Sequence, residues 1–204
     1  MRLSRPTSAA LLLAAAAAYG LLLAPAARAA PWTLQVLKNG TPLAGAVVAV
    51  ELKGQGSRAA PGTAAQMAQR DRQFQPGTLV VQTGTSVSFP NFDTVRHHVY
   101  SFSPIRRFEL KLYAGTPSEP VVFDQPGVAQ LGCNIHDKMT ARIIVVDTPV
   151  FATTDAQGRA RLDLPPGQHQ VVLWHARLGN EAPRRQPLLI PAGAPGSLPL
   201  ELRD

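Results

Sequence analysis

The sequence predicts an all-β fold. After residue 31, apolar and polar residues alternate along short runs, and turn residues separate these runs every ~8–12 residues, the pattern of β-sandwiches and barrels. No long stretch has the 3.6-residue period of a helix. The 204 residues include 16 Gly and 19 Pro, a smaller share than in disordered chains. We therefore expect a folded chain with a sizeable core.

The first strands are expected in residues 33–52, where Asn39-Gly40 suits a two-residue hairpin turn. Residues 53–66 have no period and are interpreted as a linker or long loop. Residues 64–72 are interpreted as extended, although their composition would also allow a helix. Further strands are predicted at residues 79–81, 87–89, 108–112, 121–123, 128–131 and 142–146, and then at 160–164 and 170–174.

Residues 1–29 are predicted to be a secretory signal peptide. Arg2 and Arg5 precede an apolar run at residues 9–23, and Ala27 and Ala29 suit cleavage after Ala29. A membrane anchor is the alternative, but the run is shorter than the ~20 residues that a span needs. We therefore expect a periplasmic protein with no membrane span after cleavage. Only +4 of the formal net charge of +7 would remain, which does not suggest a nucleic-acid partner.

Cys133 is the only cysteine in the chain. A single thiol excludes an intramolecular disulfide, a Cys-x-x-Cys redox couple and any site that needs several thiolates. An unpaired thiol outside the cytoplasm is prone to oxidation. Cys133 is therefore expected either to be deeply buried or to hold a ligand.

Cys133, His136 and Met139 follow one another at three-residue spacing on a predicted loop. A thiolate with a thioether selects a soft or borderline metal, and two imidazoles, one thiolate and a distant methionine form the electron-transfer copper geometry. Methionine disfavours structural zinc. The second imidazole is expected from His97 or His98, whose side chains alternate to opposite faces of a strand, so only one of them can reach the metal.

Other interpretations of these residues stay open. Cys133 alone would suit a buried apolar position, and Cys133 with His136 would suit a nucleophile and base, although no orienting residue is evident. His169 and His175 are expected to be structural or surface residues, with an accessory metal site as the alternative.

A basic cluster near the first candidate imidazole has two interpretations. It consists of Arg96, Arg106, Arg107 and Lys111. Such a cluster is either a solvated rim or a docking patch for a partner.

Residues 67–147 resemble the cupredoxins, small blue-copper proteins of the amicyanin, plastocyanin and pseudoazurin type. The Cys-x-x-His-x-x-Met spacing is similar to that of amicyanin, and Asn91 precedes His97 by six residues, as in the family's Asn…His-x-Val segment. The resemblance implies one type 1 copper held by His97, Cys133 and His136 with Met139 as the axial ligand. The family usually has Asn after the first histidine, which helps to fix the cysteine loop; here His98 stands there and is the fallback ligand.

The resemblance also implies a Greek-key β-sandwich that shuttles single electrons between redox partners, such as a dehydrogenase or a cytochrome c, without being an enzyme. Blue-copper enzymes flank the cysteine with His, whereas Gly132 and Asn134 stand here. The alternative functions are a copper module for delivery, storage or sensing, and a carbohydrate- or protein-binding sandwich tethered to an inert cupredoxin. The ligand segments are also similar to exported proteins labelled methylamine utilisation proteins.

A second resemblance concerns residues 40–48 and the turns at 154–158 and 164–167. They are similar to the carboxypeptidase-regulatory, transthyretin-like β-sandwich, in which the first element lies close to the Asp-x-x-Gly turn. We therefore expect residues 31–52 and 149–204 to form one smaller sandwich. The cupredoxin, residues 67–148, would be inserted into it.

Overall fold

The chain folds into two packed β-sandwiches, so the all-β prediction is confirmed. The computed structural model describes residues 29–53, 58–179 and 181–203; the predicted signal peptide, except Ala29, lies outside them. In chain order the strands are β1 (Ala30–Lys38), β2 (Thr41–Pro42), β3 (Val47–Glu51), β4 (Ala64–Gln66), β5 (Ala68–Arg70), β6 (Gln73–Gln75), β7 (Thr78–Gln82), β8 (Thr85–Ser88), β9 (His97–Ser101), β10 (Phe108–Tyr113), β11 (Val121–Phe123), β12 (Gly127–Gly132), β13 (Thr140–Val146), β14 (Phe151–Thr153), β15 (Arg159–Leu164), β16 (Gly167–Trp174), β17 (Arg184–Ile190) and β18 (Ser197–Glu201).

Helical structure is limited, in the described part of the chain, to one 3-10 turn at Ala176–Leu178. No helix of these residues has the length and apolar character needed to cross a membrane.

The first sandwich joins the two ends of the described chain. In one sheet, β1 lies between β15 and β18, with Leu34 opposite Ala160. In the other sheet the strand order is β14-β3-β16-β17, with Val48 opposite Ala152. Both tryptophans, Trp32 and Trp174, are buried in the core between these sheets.

The predicted hairpin over residues 33–52 is wrong beyond its turn. Asn39 and Gly40 both have positive φ, 52° and 74°, as the Asn-Gly pair predicts for a type I′ turn. The returning strand, however, is only β2, whose Pro42 has no N–H for further pairing. β3 then crosses to the opposite sheet, where it pairs with β14 and β16.

The second sandwich holds the cysteine loop. Its five-stranded sheet has the order β10-β9-β12-β13-β7, and the facing sheet has the order β11-β8-β4. The apolar core between them includes Val87, Leu131 and Ile143. The segment interpreted as a linker ends earlier than residue 66, because β4 is formed there and pairs with β8. The extended prediction for residues 64–72 is confirmed for β4 and β5 but is wrong for Asp71 and Arg72, whose positive φ values of 54° and 57° form the turn before β6.

β13 contributes to both cores. Ala141, Ile143 and Val145 face the core of the second sandwich, whereas Ile144 and Val146 belong to the core of the first. This follows from the two-residue period of a strand. Since β13 starts directly after Met139, the end of the cysteine loop is anchored on a strand that is packed on both faces.

Candidate metal centre

Two consecutive turns organise the cysteine loop. The N–H of His136 donates to the carbonyl of Cys133 at 3.4 Å, and the N–H of Met139 donates to the carbonyl of His136 at 2.8 Å. Each three-residue spacing therefore corresponds to one i to i+3 turn hydrogen bond. The predicted loop between two strands is present, since β12 ends at Gly132 and β13 begins at Thr140.

Three of the four predicted ligands converge on one point. The Sγ of Cys133 lies 4.0 Å from Nδ1 of His97 and 3.9 Å from Nδ1 of His136, and the two imidazole rings are 5.0 Å apart between centroids. His97 is 0% and Cys133 is 3% exposed, whereas His136 is partly exposed. The cluster is thus closed on the side of β9 and open to solvent at His136.

Met139 lies in the same region of the core. Its side chain is 1% exposed and belongs to the buried cluster that contains Cys133. Its backbone is fixed to His136 by the turn described above. Met139 is therefore held in the same loop as the two other ligands that the motif predicts.

His97 and His98 have separate environments, on opposite faces of β9 as strand alternation predicts. His97 points to Cys133, and its Nε2 lies 2.7 Å from Oδ2 of Asp93. His98 instead has its Nε2 2.8 Å from Oε1 of Glu109. This geometry favours His97 over His98 as the first imidazole.

Asp93 orients the His97 ring, and sequence reasoning missed it. Its two carboxylate oxygens also accept the N–H groups of Asp71 at 2.7 Å and Arg72 at 2.9 Å. Burial acts to raise the pKa of Asp93, but these N–H groups and His97 outweigh it, so the pKa lies below its ordinary value. An ionised Asp93 favours a proton on Nε2 of His97 and leaves the Nδ1 lone pair free for a metal.

Asn91 ties the loop before His97 to its surroundings. Its Nδ2 donates to the carbonyls of Val95 at 2.8 Å and Tyr113 at 3.2 Å, and its Oδ1 accepts the N–H of Asp93 at 2.9 Å. Asn91 is buried. The residue that sequence reasoning used only as a spacing marker therefore holds the turn that presents Asp93 to His97.

Tyr113 lies opposite His97 across β9 and β10. Its hydroxyl donates to the carbonyl of Phe89 at 2.6 Å and also contacts Nε2 of Gln69. Burial, with a smaller effect of Cys133, raises the pKa of Tyr113 to about 12 against the opposing Gln69 hydrogen bond. The phenol is thus neutral near the candidate thiolate, and its hydrogen bonds join β10 to the segments that carry Phe89 and Gln69.

The donor set fits one soft or borderline metal ion. A metal bonded to nitrogen at ~2.0 Å and to sulfur at ~2.3 Å can bridge the 3.9–4.0 Å between Sγ and each Nδ1. Two imidazoles and one thiolate, with a thioether in the same loop, match the preference of copper. Within the described residues this is the single group of three His, Cys or acidic residues close enough to share an ion.

The other predicted candidates lie outside this cluster. His169 Nε2 lies 2.9 Å from the carbonyl of Pro165, and Nδ1 of His175 accepts the N–H of Arg177. Neither belongs to a metal-binding group among the described residues. Both are explained by local hydrogen bonds in the first sandwich.

Several solved structures are similar to part of this chain. Solved structures similar to it include a purple cupredoxin from Nitrosopumilus maritimus, at 20% identity and a TM-score of 0.35, covering 41% of this chain and 98% of that one. Amicyanin from Paracoccus versutus is 16% identical, with a TM-score of 0.35 and coverage of 48% and 96%.

A copper-containing nitrite reductase from Thermus scotoductus is 22% identical, with a TM-score of 0.39, over 45% of this chain and 24% of the enzyme. No family model matches the chain, and no curated protein is significantly similar to it. The choice of metal therefore rests on the ligand atoms and not on these similarities.

Replacing Asp93 with asparagine should weaken copper binding by about 10- to 100-fold, the usual effect of losing a carboxylate that orients a ligating histidine. The amide cannot reproduce both the His97 contact and the two backbone contacts of the carboxylate. Glu109→Gln is the matched control, because Glu109 makes the same kind of contact to His98. Titration against a competing chelator measures both. Equal losses in the two variants would contradict the role of Asp93.

Proposed function

We propose that this protein is a type 1 copper protein that carries single electrons. The observation that supports it is the placement of two imidazole Nδ1 atoms 3.9–4.0 Å from the one thiol in the chain. Copper in such a site cycles between Cu(I) and Cu(II) with little rearrangement of its ligands. Packing around His97 and Cys133, which are almost fully buried, limits that rearrangement.

Contacts within the protein hold the candidate ligands in one arrangement, which can serve both oxidation states of copper. Asp93 keeps the His97 ring in one orientation, and the two turns of the loop keep His136 and Met139 near Cys133. The partly exposed His136 leaves one side of the site near solvent. Burial of the thiol also protects it from oxidation in an exported protein.

We further propose that the protein is exported to the periplasm, exchanges electrons with other redox proteins and has no catalytic turnover. The N-terminal sequence supports export. Gly132 and Asn134 beside Cys133 support the absence of a neighbouring second copper centre. A module for copper delivery or storage is the competing function, and it predicts ready loss of Cu(I) to an acceptor.

Addition of Cu(II) to the purified protein should produce an intense thiolate-to-copper visible band, which Cys133→Ser should abolish. Serine removes the soft thiolate and leaves the two imidazoles in place. Absorption spectroscopy with copper quantification measures the result. A colourless wild-type protein, or an unchanged band in Cys133→Ser, would refute the proposal. Reversible reduction with copper retained favours the carrier over the delivery module.

A further inference from the structure

Tyr113 faces His97 because of an irregularity in β10. Leu110 lies opposite Val99, but the register then shifts by one residue, so that Tyr113 lies opposite His97. Without this bulge Leu112 would take that place; it is instead 49% exposed. Bulges re-aim side chains and are over-represented next to functional sites. The bulge therefore gives the first candidate imidazole a phenol as its cross-strand neighbour in place of an aliphatic side chain.

Gln69 ties Tyr113 to the segment that follows β8. Its Nε2 donates to the carbonyl of Phe89 at 3.1 Å and contacts the hydroxyl of Tyr113, which donates to the same carbonyl. Its main chain adds two bonds, since its N–H donates to the carbonyl of Pro90 at 2.8 Å and its carbonyl accepts the N–H of Phe92 at 2.9 Å. Gln69 is 0% exposed, so these contacts lie inside the second sandwich.

The side-chain oxygen of Gln69 is buried without a partner. Within the described part of the chain, its Oε1 accepts no hydrogen bond. An unpaired buried acceptor is costly and rare, and it calls for an explanation. A methionine of similar length would avoid this penalty and would leave the Tyr113 hydroxyl its bond to the carbonyl of Phe89. The stability of the core therefore does not account for a glutamine at this position.

Asn91 connects Tyr113 to His97. Its Nδ2 donates to the carbonyl of Tyr113 at 3.2 Å, and its N–H donates to the carbonyl of Gly115 at 2.8 Å. Its Oδ1 accepts the N–H of Asp93 at 2.9 Å, and Oδ2 of Asp93 lies 2.7 Å from Nε2 of His97. A displacement of Tyr113 would therefore reach the His97 ring through an unbroken series of hydrogen bonds.

We propose that Gln69 and Tyr113 are positioning residues for the His97 ligand. The inference rests on the proposed function and adds two residues to the site. The bulge places Tyr113 opposite His97, and the Gln69 amide fixes the Tyr113 hydroxyl. Neither residue touches the metal. Together they restrict the positions open to Nδ1 of His97, and the unpaired Oε1 is the stability given up for that restriction.

Gln69→Met removes the side-chain contacts but keeps both main-chain bonds of residue 69. The denaturation midpoint of the metal-free variant, measured by circular dichroism, should equal or exceed that of the wild type. Its copper affinity, measured by chelator competition, should fall about tenfold. In the metal-free variant, the N–H of Asp93 should exchange with solvent about tenfold faster, as measured by NMR. Tyr113→Phe should reproduce the loss of affinity and the faster exchange, and the double variant should show no more than the larger single effect.

Thr85→Val is the control within the same sandwich. Thr85 is 2% exposed, and its hydroxyl donates to the carbonyl of Gln82 at 2.6 Å, at the end of β8 away from Phe89. This variant should lower the midpoint and leave copper affinity and the exchange of Asp93 unchanged.

The proposal is overturned if Gln69→Met keeps both the copper affinity and the Asp93 exchange of the wild type. It is also overturned if the midpoint of Gln69→Met falls as far as that of Thr85→Val, or if the two single effects add in the double variant. A wild-type protein without the visible band would refute the proposed function alone, since the amide exchange is measured without copper.

Discussion

Replacing His97 with alanine should abolish the thiolate-to-copper band, whereas replacing His98 should leave the band close to its wild-type position and intensity. Of these two histidines, only His97 has a ring nitrogen near the sulfur of Cys133, at 4.0 Å, and its other nitrogen is held by Asp93. Loss of a ligand should weaken copper binding by more than the ~10–100-fold that is typical when a residue that only orients a ligand is lost. Absorption spectra and chelator competition of the two variants measure this difference.

Two controls separate ligand loss from misfolding. Free imidazole added to His97→Ala should restore part of the band, because the deleted side chain leaves a space beside Cys133 in a folded site. Circular dichroism should show that both variants keep their β structure. Loss of the band in His98→Ala, with a normal band in His97→Ala, would assign the metal to the other face of β9 and contradict the structure.

The candidate site shows which interactions a sequence predicts. Cys133, His136 and Met139 could be grouped because each spacing is a local turn. The choice between His97 and His98 depends on which face of β9 turns toward Cys133, and that depends on contacts with other strands. Asp93 is only four residues from His97, yet its position depends on the backbone N–H groups of Asp71 and Arg72. No local pattern indicates that contact.

The strands show a similar limit. Alternation and turn residues predicted most strands of the second sandwich. In the first sandwich, these signals could not predict that β3 leaves β1 and enters the opposite sheet. The predictions also omitted β17 and β18, which contain Pro187 and Pro199. Each is an edge strand, where a residue without an N–H is tolerated.

We propose that residues 30–51 and 151–203 fold as one domain into which the second sandwich is inserted. The two pieces are in direct backbone contact at the turn of Gly158. Its carbonyl accepts the N–H of Val36 at 2.7 Å. A Cβ added at Gly158 would lie 2.6 Å from the carbonyl oxygen of Val36 and 2.8 Å from the backbone nitrogen of Leu43.

Gly158→Ala should therefore destabilise the first sandwich by more than about 4 kcal/mol, a size reserved for severe disruptions. Backbone atoms of β1 and the following segment cannot move aside as a flexible side chain would. Gly45→Ala is the control, because Gly45 has nearly the same φ, 74° against 71°, with nothing within 4 Å of an added Cβ. It should cost only the ~1–2 kcal/mol of a left-handed alanine.

Tryptophan fluorescence and the copper band report on the two sandwiches separately. Trp32 and Trp174 are both buried in the first core, whereas the candidate metal ligands lie in the second sandwich. In Gly158→Ala the fluorescence midpoint in denaturant should fall far more than in Gly45→Ala. The denaturation midpoint measured by the copper band should fall less. β13 would lose the contacts of Ile144 and Val146 with the first core but keep its contacts with the second core. Equal fluorescence midpoints in the two variants would show that the close approach at Gly158 does not join the two pieces.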